Sequence, residues 1–348
     1  MSIKKIVLLL LISKTTFAAQ SNQCLEEKYV FDFGSSSIKT SGYIINNCNG
    51  SIKAHLPKYN KVVNMQECAL QSEGGEHLHD SCVKKSIIAV NEIKKLYDTE
   101  CTTNSCIGIA TAWARNIKNR DDVLRKLLEN TGIAFSIISQ EKEGLLVLEA
   151  AKAHLATQNK KLTAEAIVLD SGGGSFQLSG FDSQNQHFVF NGKYGSATIF
   201  KELNKLFKKV SDKELVTKRE LNHALNHVYK NISRDIANDK NMRQLIGNKN
   251  LKIYSFGGFV QYGIKRNLNF AKNIITLQDL EKILEESAEK NLIEMREKYP
   301  NYLVDNQAGT ILLHAIIKSL QANEILYVNH DPKDHLALNP AIIHTAQR

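Results

Sequence analysis

Proline is nearly absent from this chain, four in 348 residues, and no Pro-rich or Gly/Ser-rich stretch interrupts it. That excludes an extended spacer between independent modules, so helices and strands are expected to abut throughout. Long apolar runs are also missing. The one run of note, at 6–12, is too short to cross a bilayer. It lies between Lys4, Lys5 and the small residues Ala18, Ala19, the layout of a cleavable secretory leader. Residues 1–18 are expected to be removed, with Ala19 as the alternative cleavage point and no membrane span in what remains. No CxxC pair is present, which argues against a zinc knuckle. Nor do the basic residues bunch into a patch, so no nucleic-acid module is expected.

Six cysteines are present, Cys24, Cys48, Cys68, Cys82, Cys101 and Cys106, an even number gathered in the first third of the chain. In an exported protein they read as disulfides. Six cysteines allow fifteen pairings, among which the sequence does not choose; pairing of sequence neighbours is the expectation taken forward. Formal charge is +9, or +6 once Lys4, Lys5 and Lys14 leave with the leader. A basic surface suits an anionic substrate such as a polyphosphate or nucleotide.

The chain is organised around 167–179, IVLDSGGGSFQLS. Ile167, Val168 and Leu169 read as a buried strand, and Asp170 emerges at its carboxyl end. Gly172, Gly173 and Gly174 let backbone N–H groups converge on phosphate oxygens, with Asp170 facing the counter-ion, Mg2+. A tight hairpin turn would use the same residues. A second copy of this grammar stands about 140 residues upstream, in YVFDFGSSSIKTSGYIIN at 29–46: a strand, Asp32, the small residues Gly34, Ser35, Ser36 and Ser37, then a strand. Two matched units suggest two similar lobes, each lending one loop to a shared cleft.

Further elements follow from periodicity and from capping residues. A strand pair is expected around 51–63 and helices over 83–96 and 121–130, the latter ended by Gly132. A strand at 107–110 leads to Thr111 and Arg115, four apart, which on one helical face would form a phosphate contact, although spacing alone favours an N-cap and a surface arginine. A helix opens after Ser139 with Glu141 and Glu143 in its first turn. Acids are favoured there by the helix dipole alone, but one facing a cleft could take a proton from attacking water. Strands are expected at 187–193, 251–256 and 325–328, the second running into Gly257 and Gly258, a third turn fit for phosphate. Helices are expected at 197–208, 218–238, 277–298 and 307–322. His77 and His79 have the spacing of a metal pair, or of a solvated turn. The pattern divides the mature chain into 19–150, 151–305 and a terminal helix and strand at 306–348 whose helix could pack back on the first lobe.

Taken together these residues resemble the exopolyphosphatase/guanosine pentaphosphate phosphatase family, within the actin, sugar-kinase and heat-shock ATPase superfamily. DFGSSS at 32–37 and DSGGGS at 170–175 are similar to its phosphate loops, and FGG at 256–258 to the third. ATAWARNIKNRDDVL at 110–124 and TGIAFSIISQEKEG at 131–144 resemble the segments that carry its arginine and its catalytic glutamate. The resemblance implies an α/β fold of two actin-like, ribonuclease H-like lobes with an interlobe cleft. It implies a Mg2+-dependent hydrolase of polyphosphate or nucleotide polyphosphates. Glu143 would deprotonate the attacking water, Asp32 and Asp170 would hold Mg2+ through waters, and Arg115 would neutralise the phosphoryl group. Ser35, Ser36, Gly173, Gly174 and Ser175 would donate to phosphate oxygens. Two departures stand out. Gln177 replaces the family's usual glutamate, a feature shared with apyrases, and HDPKDHLAL at 330–338 lacks the arginine and glycine of the family's C-terminal turn. An apyrase-like nucleotidase and a non-catalytic polyphosphate- or nucleotide-binding protein are the alternatives. The sequence is compatible with a dimer but does not fix the oligomeric state.

Overall fold

The computed structural model describes residues 24–343 except 66, 67, 69–75, 103, 210–213, 257, 258, 267–270, 301, 304 and 330. The expected leader and the glycines Gly257 and Gly258 lie outside the described residues.

Tyr29, Val30, Phe31 and Phe33 are all buried. A strand apolar on both faces belongs in the middle of a sheet, and that is where β1 (Leu25–Phe33) lies. On one side it pairs antiparallel with β2 (Ser37–Asn46), which pairs with β3 (Ser51–Val62). On its other side run the parallel strands β4 (Cys106–Ala110) and β5 (Phe135–Ile137). Phe31, Phe33 and Ile38 pack on one face with Val83, Val90 and Ile93 of helix Asp80–Tyr97 and Val123 and Leu127 of helix Arg120–Thr131. Gly132 closes the latter helix at φ 73°, in the left-handed region that favours glycine. The opposite face, with Val30, Tyr43, Ile107 and Ile109, meets Leu146 of helix Gln140–Thr157 and Leu336 and Ala337 of helix Pro332–Leu338.

The second sheet repeats the scheme. β6 (Ala166–Ser171) pairs antiparallel with β7 (Phe176–Phe181), and β7 with β8 (His187–Gly192). Beyond β6 lie the parallel strands β9 (Lys252–Ser255) and β11 (Glu324–Tyr327), with β10 (Ile274–Thr276) antiparallel at the edge. Helix Lys218–Asn238 buries Leu221, Ala224, Val228, Ile232 and Ile236, one stripe at helical spacing. Helix Asn306–Ser319 is buried at every residue but Lys318 and forms the centre of this second core.

The structure redraws several expected elements. Residues 51–62 form one long strand rather than a pair. The helix expected over 277–298 is two, Leu277–Glu289 and Leu292–Lys298, because Asn291 caps the second: its side chain accepts from Ile293 and Glu294 N–H at 2.9 and 3.0 Å, while Glu294 accepts from Asn291 N–H at 2.7 Å. Helix Gln140–Thr157 runs through Ala150, the expected lobe boundary, with Val147, Leu148, Ala150 and Ala151 packed on Val168 of the second sheet. The element that returns to the first lobe is not the helix at 306–319 but Pro332–Leu338, capped by Asp331. The cysteines pair as neighbours, Cys24–Cys48, Cys68–Cys82 and Cys101–Cys106. Among the described residues no helix is long and apolar enough to cross a membrane.

Candidate active site in the interlobe cleft

Each lobe presents the same turn. Gly34 N–H donates to Ser37 C=O and Gly172 N–H to Ser175 C=O, both at 3.0 Å. Asp32 lies opposite Lys39 across the first hairpin, and Asp170 opposite Gln177 across the second. Both acids thus precede their turn by the same offset and project from the end of a central strand.

The two turns touch. A Cβ on Gly173 would lie 2.6 Å from Ser36 Oγ, and one on Gly174 2.8 Å from Ser35 Oγ and 2.9 Å from Ala112 Cβ. Behind the second turn, Ser196 and Ala197 N–H donate to the Gly172 and Gly173 carbonyls at 3.1 and 3.0 Å, so the start of helix Ser196–Leu206 props the loop. Gly195 is required there because a Cβ would fall 2.4–2.5 Å from the backbone of Gly173 and Gly174.

Between the lobes lies a cavity of about 760 Å³ whose lining includes Asp32, Glu143, Asp170, both serine- and glycine-bearing turns, and Gln177. Ser35 Oγ and Ser171 Oγ are buried with no partner among the described residues. Buried hydroxyls are normally satisfied, so these two suit a ligand oxygen.

Glu143 stands in the first turn of helix Gln140–Thr157, whose start is fixed by Ser139 Oγ accepting from Lys142 N–H at 3.2 Å. Arg115 Nη1 donates to Glu143 Oε2 at 2.6 Å and to the Ile138 carbonyl at 2.9 Å, and Nη2 to Ser175 Oγ at 3.3 Å. The family resemblance sets Arg115 against a phosphoryl group; in the structure its guanidinium holds Glu143 and the end of the second turn. The reason is local: the helix at Ala112–Arg115 is a single turn, beginning after Thr111, and it aims the side chain at the neighbouring helix start. Gln177 Nε2 donates to the same Ser175 hydroxyl at 3.2 Å.

Burial pushes the Glu143 carboxyl up to about 8, against the pull of Arg115 and with the help of Asp170 and Asp32. Burial also pushes Asp170 up to about 6, opposed by Lys39, raised by Asp32 and opposed again by Lys333. Asp32 and Asp170 thus both raise Glu143, and Asp32 raises Asp170, as carboxylates around a common gap do. Among the described residues no group of three or more His, Cys, Asp or Glu is placed to hold a metal unaided. Two carboxylates with water and phosphate oxygens are, however, the usual surroundings of Mg2+, and Asp32 and Asp170 supply such a pair. His77 and His79 are both exposed and form no such group.

Sequence reasoning passed over Lys39, Gln261 and Lys333, which also line the cavity. Lys39 was within reach of a hairpin register drawn back from the turn. Lys333 had no such signal, since only the return of the C-terminal helix brings it here.

A model of the Ppx/GppA phosphatase family matches residues 50–330. A comparison with curated proteins found no match. Among solved structures, the chain is similar to an exopolyphosphatase-like protein at 15% identity and TM-score 0.71, covering 91% of this chain and 98% of that one. It is similar to a Ppx/GppA family member from Aquifex aeolicus at 14% identity and TM-score 0.65, covering 93% and 100%. An exopolyphosphatase from Cytophaga hutchinsonii matches at 11% identity and TM-score 0.66, covering 92% and 99%. At these identities the structural likeness establishes the fold, the one these Ppx/GppA and exopolyphosphatase structures share.

Proposed function

The chain belongs to the Ppx/GppA phosphatase family, and from that we propose that it is an exported, Mg2+-dependent phosphoanhydride hydrolase acting on the end of a polyphosphate or nucleotide polyphosphate. The carrying observation is the placement of Glu143 beside Asp32 and Asp170 in one cleft, its carboxyl held by Arg115 and pushed up to about 8. A base works best when its pKa lies near the working pH. Water attacks the terminal phosphorus while Glu143 takes its proton. The bond from phosphorus to the bridging oxygen breaks, giving orthophosphate and a chain one phosphate shorter. Ser35, Ser36, Ser175 and the amides of Gly173 and Gly174 orient the phosphate. Arg115 positions the base, and Gln177 steadies Ser175. Asp32 and Asp170 would hold Mg2+, which when bound supplies positive charge against the phosphate oxygens. Three disulfides and the leader-like start of the sequence support export.

The test is a panel of pyrophosphate, tripolyphosphate, longer polyphosphate, ATP and ADP, scored by phosphate release with Mg2+ or with chelator. Glu143→Gln is expected to lower Mg2+-dependent release by about 10²–10⁴ while substrate still binds. Release that ignores both chelator and the substitution would sink the reading. A nucleoside tri- and diphosphatase is the second reading, favoured by Gln177 standing opposite Asp170; nucleotides outrunning tripolyphosphate would select it. Binding without turnover by the wild type would leave a polyphosphate- or nucleotide-binding protein.

A further inference from the structure

The amides of the second turn take their direction from what lies behind it. The carbonyl and the N–H of one trans peptide point to opposite sides, and no peptide bond among the described residues is cis. The Gly172 and Gly173 carbonyls accept from Ser196 and Ala197 N–H at 3.1 and 3.0 Å. The N–H groups that share those two peptide planes belong to Gly173 and Gly174, so both are turned away from the start of helix Ser196–Leu206. Neither N–H has an acceptor among the described residues, and both glycines line the cleft. Where the helix start stands therefore decides where these donors aim.

That helix start is held by one side chain from elsewhere in the lobe. Ser196, only 4% exposed, donates its hydroxyl to Asp305 Oδ2 at 2.7 Å, across a sequence separation of 109. Asp305 stands at the N-cap of helix Asn306–Ser319, where an aspartate ordinarily accepts from the amides of its own first turn. Here it makes no such bond, and its half-buried carboxyl reaches across to Ser196. An acid that forgoes its local partner breaks a local rule, and such breaks are expected at functional sites. Burial pushes the carboxyl up, while the Ser196 hydroxyl and Asp305's own N–H favour the charged form. The helix that carries it is buried at every residue but Lys318, so the carboxylate is anchored on a packed core. With glycine at 173, 174 and 195 the joint has no side chains of its own to stiffen it.

We propose that Asp305 is a positioning residue for phosphate: through the Ser196 hydroxyl it pins the start of helix Ser196–Leu206 to the second core and so holds the Gly173 and Gly174 amides on the phosphate oxygens. The proposal rests on the phosphoanhydride reading and deepens it. Neither Asp305 nor Ser196 lines the cleft, so the effect passes to the substrate through backbone alone.

The test separates binding from turnover. kcat and KM for tripolyphosphate with Mg2+ are measured on the wild type, Ser196→Ala, Asp305→Ala, Asp305→Asn and the Ser196→Ala, Asp305→Ala double variant, with thermal melts to confirm folding. Each alanine variant is expected to raise KM about ten-fold, the weight of one hydrogen bond to a charged group. kcat should change little, because Glu143 and Arg115 are untouched. The double variant should be no worse than either single one, since all three lose the same bond. Asp305→Asn, which can still accept from Ser196, should recover most of the loss. Kd for tripolyphosphate, measured in a Glu143→Gln background, should rise by the same factor in Ser196→Ala, which keeps the test open if Asp305→Ala fails to fold. Folded variants with wild-type KM and Kd, losses confined to kcat, or additive losses in the double variant would overturn the positioning role. A wild type that neither turns over nor binds tripolyphosphate would instead remove the phosphoanhydride reading itself, so the two failures stay distinct.

Discussion

Replacing Glu143 with glutamine should make the protein more stable at alkaline pH even as it removes activity. In the fold the carboxyl is pushed from an ordinary 4.5 up to about 8, chiefly by burial, with the side chain 14% exposed. The folded chain therefore holds this proton more tightly than the unfolded chain does. Stability fully present below about pH 4.5 is lost as pH rises through about 8. At about 1.36 kcal/mol per unit, the loss is about 4–5 kcal/mol, a figure that already contains the opposing pull of Arg115. Glutamine copies the protonated carboxyl and cannot ionise, so the variant escapes the loss. The assay is denaturant unfolding of wild type and Glu143→Gln between pH 4.5 and 9, with chelator present so that bound cation does not mask the acid. The wild-type curve should fall relative to the variant by about 4 kcal/mol over that range, most of it below pH 8. Parallel curves would show that Glu143 ionises in the fold as it does in water, and the argument for a tuned base would fail.

Two further outcomes follow from the packing. Gly195→Ala places a methyl against the backbone of Gly173 and Gly174; by the usual cost of overpacking it should destabilise by about 1–3 kcal/mol and lower phosphate release, and wild-type values in both assays would contradict the propping role of helix Ser196–Leu206. Reduction with a phosphine should lower Tm, because Cys24–Cys48 and Cys68–Cys82 close loops of sequence separation 24 and 14, worth about 3 kcal/mol each in chain entropy. No cysteine lines the cleft, so turnover at low temperature should persist; an unmoved Tm would argue against the pairing.

Sequence alone determined the two strand, acid, small-turn, strand units, because each is local: apolar alternation makes the strands, and consecutive glycines or serines make the turn. It placed Asp32 and Asp170 at strand ends for the same reason, while the choice of Glu143 over Glu141 at the helix start came from the family resemblance. Neighbour pairing of the cysteines was the simplest of many options, and the fold agrees with it. The break in the helix expected over 277–298 was legible as well, in the local Asn291–Glu294 capping pair. Only the tertiary structure decided what Arg115 touches, since a guanidinium on a single helical turn can swing toward substrate or toward the next helix. And it alone carried 332–338 back to the first sheet. That return depends on long-range pairing of Asp331 with Ser41 and Lys58 and of Asp334 with Tyr43 and His55, between residues so far apart in the chain that no local pattern links them.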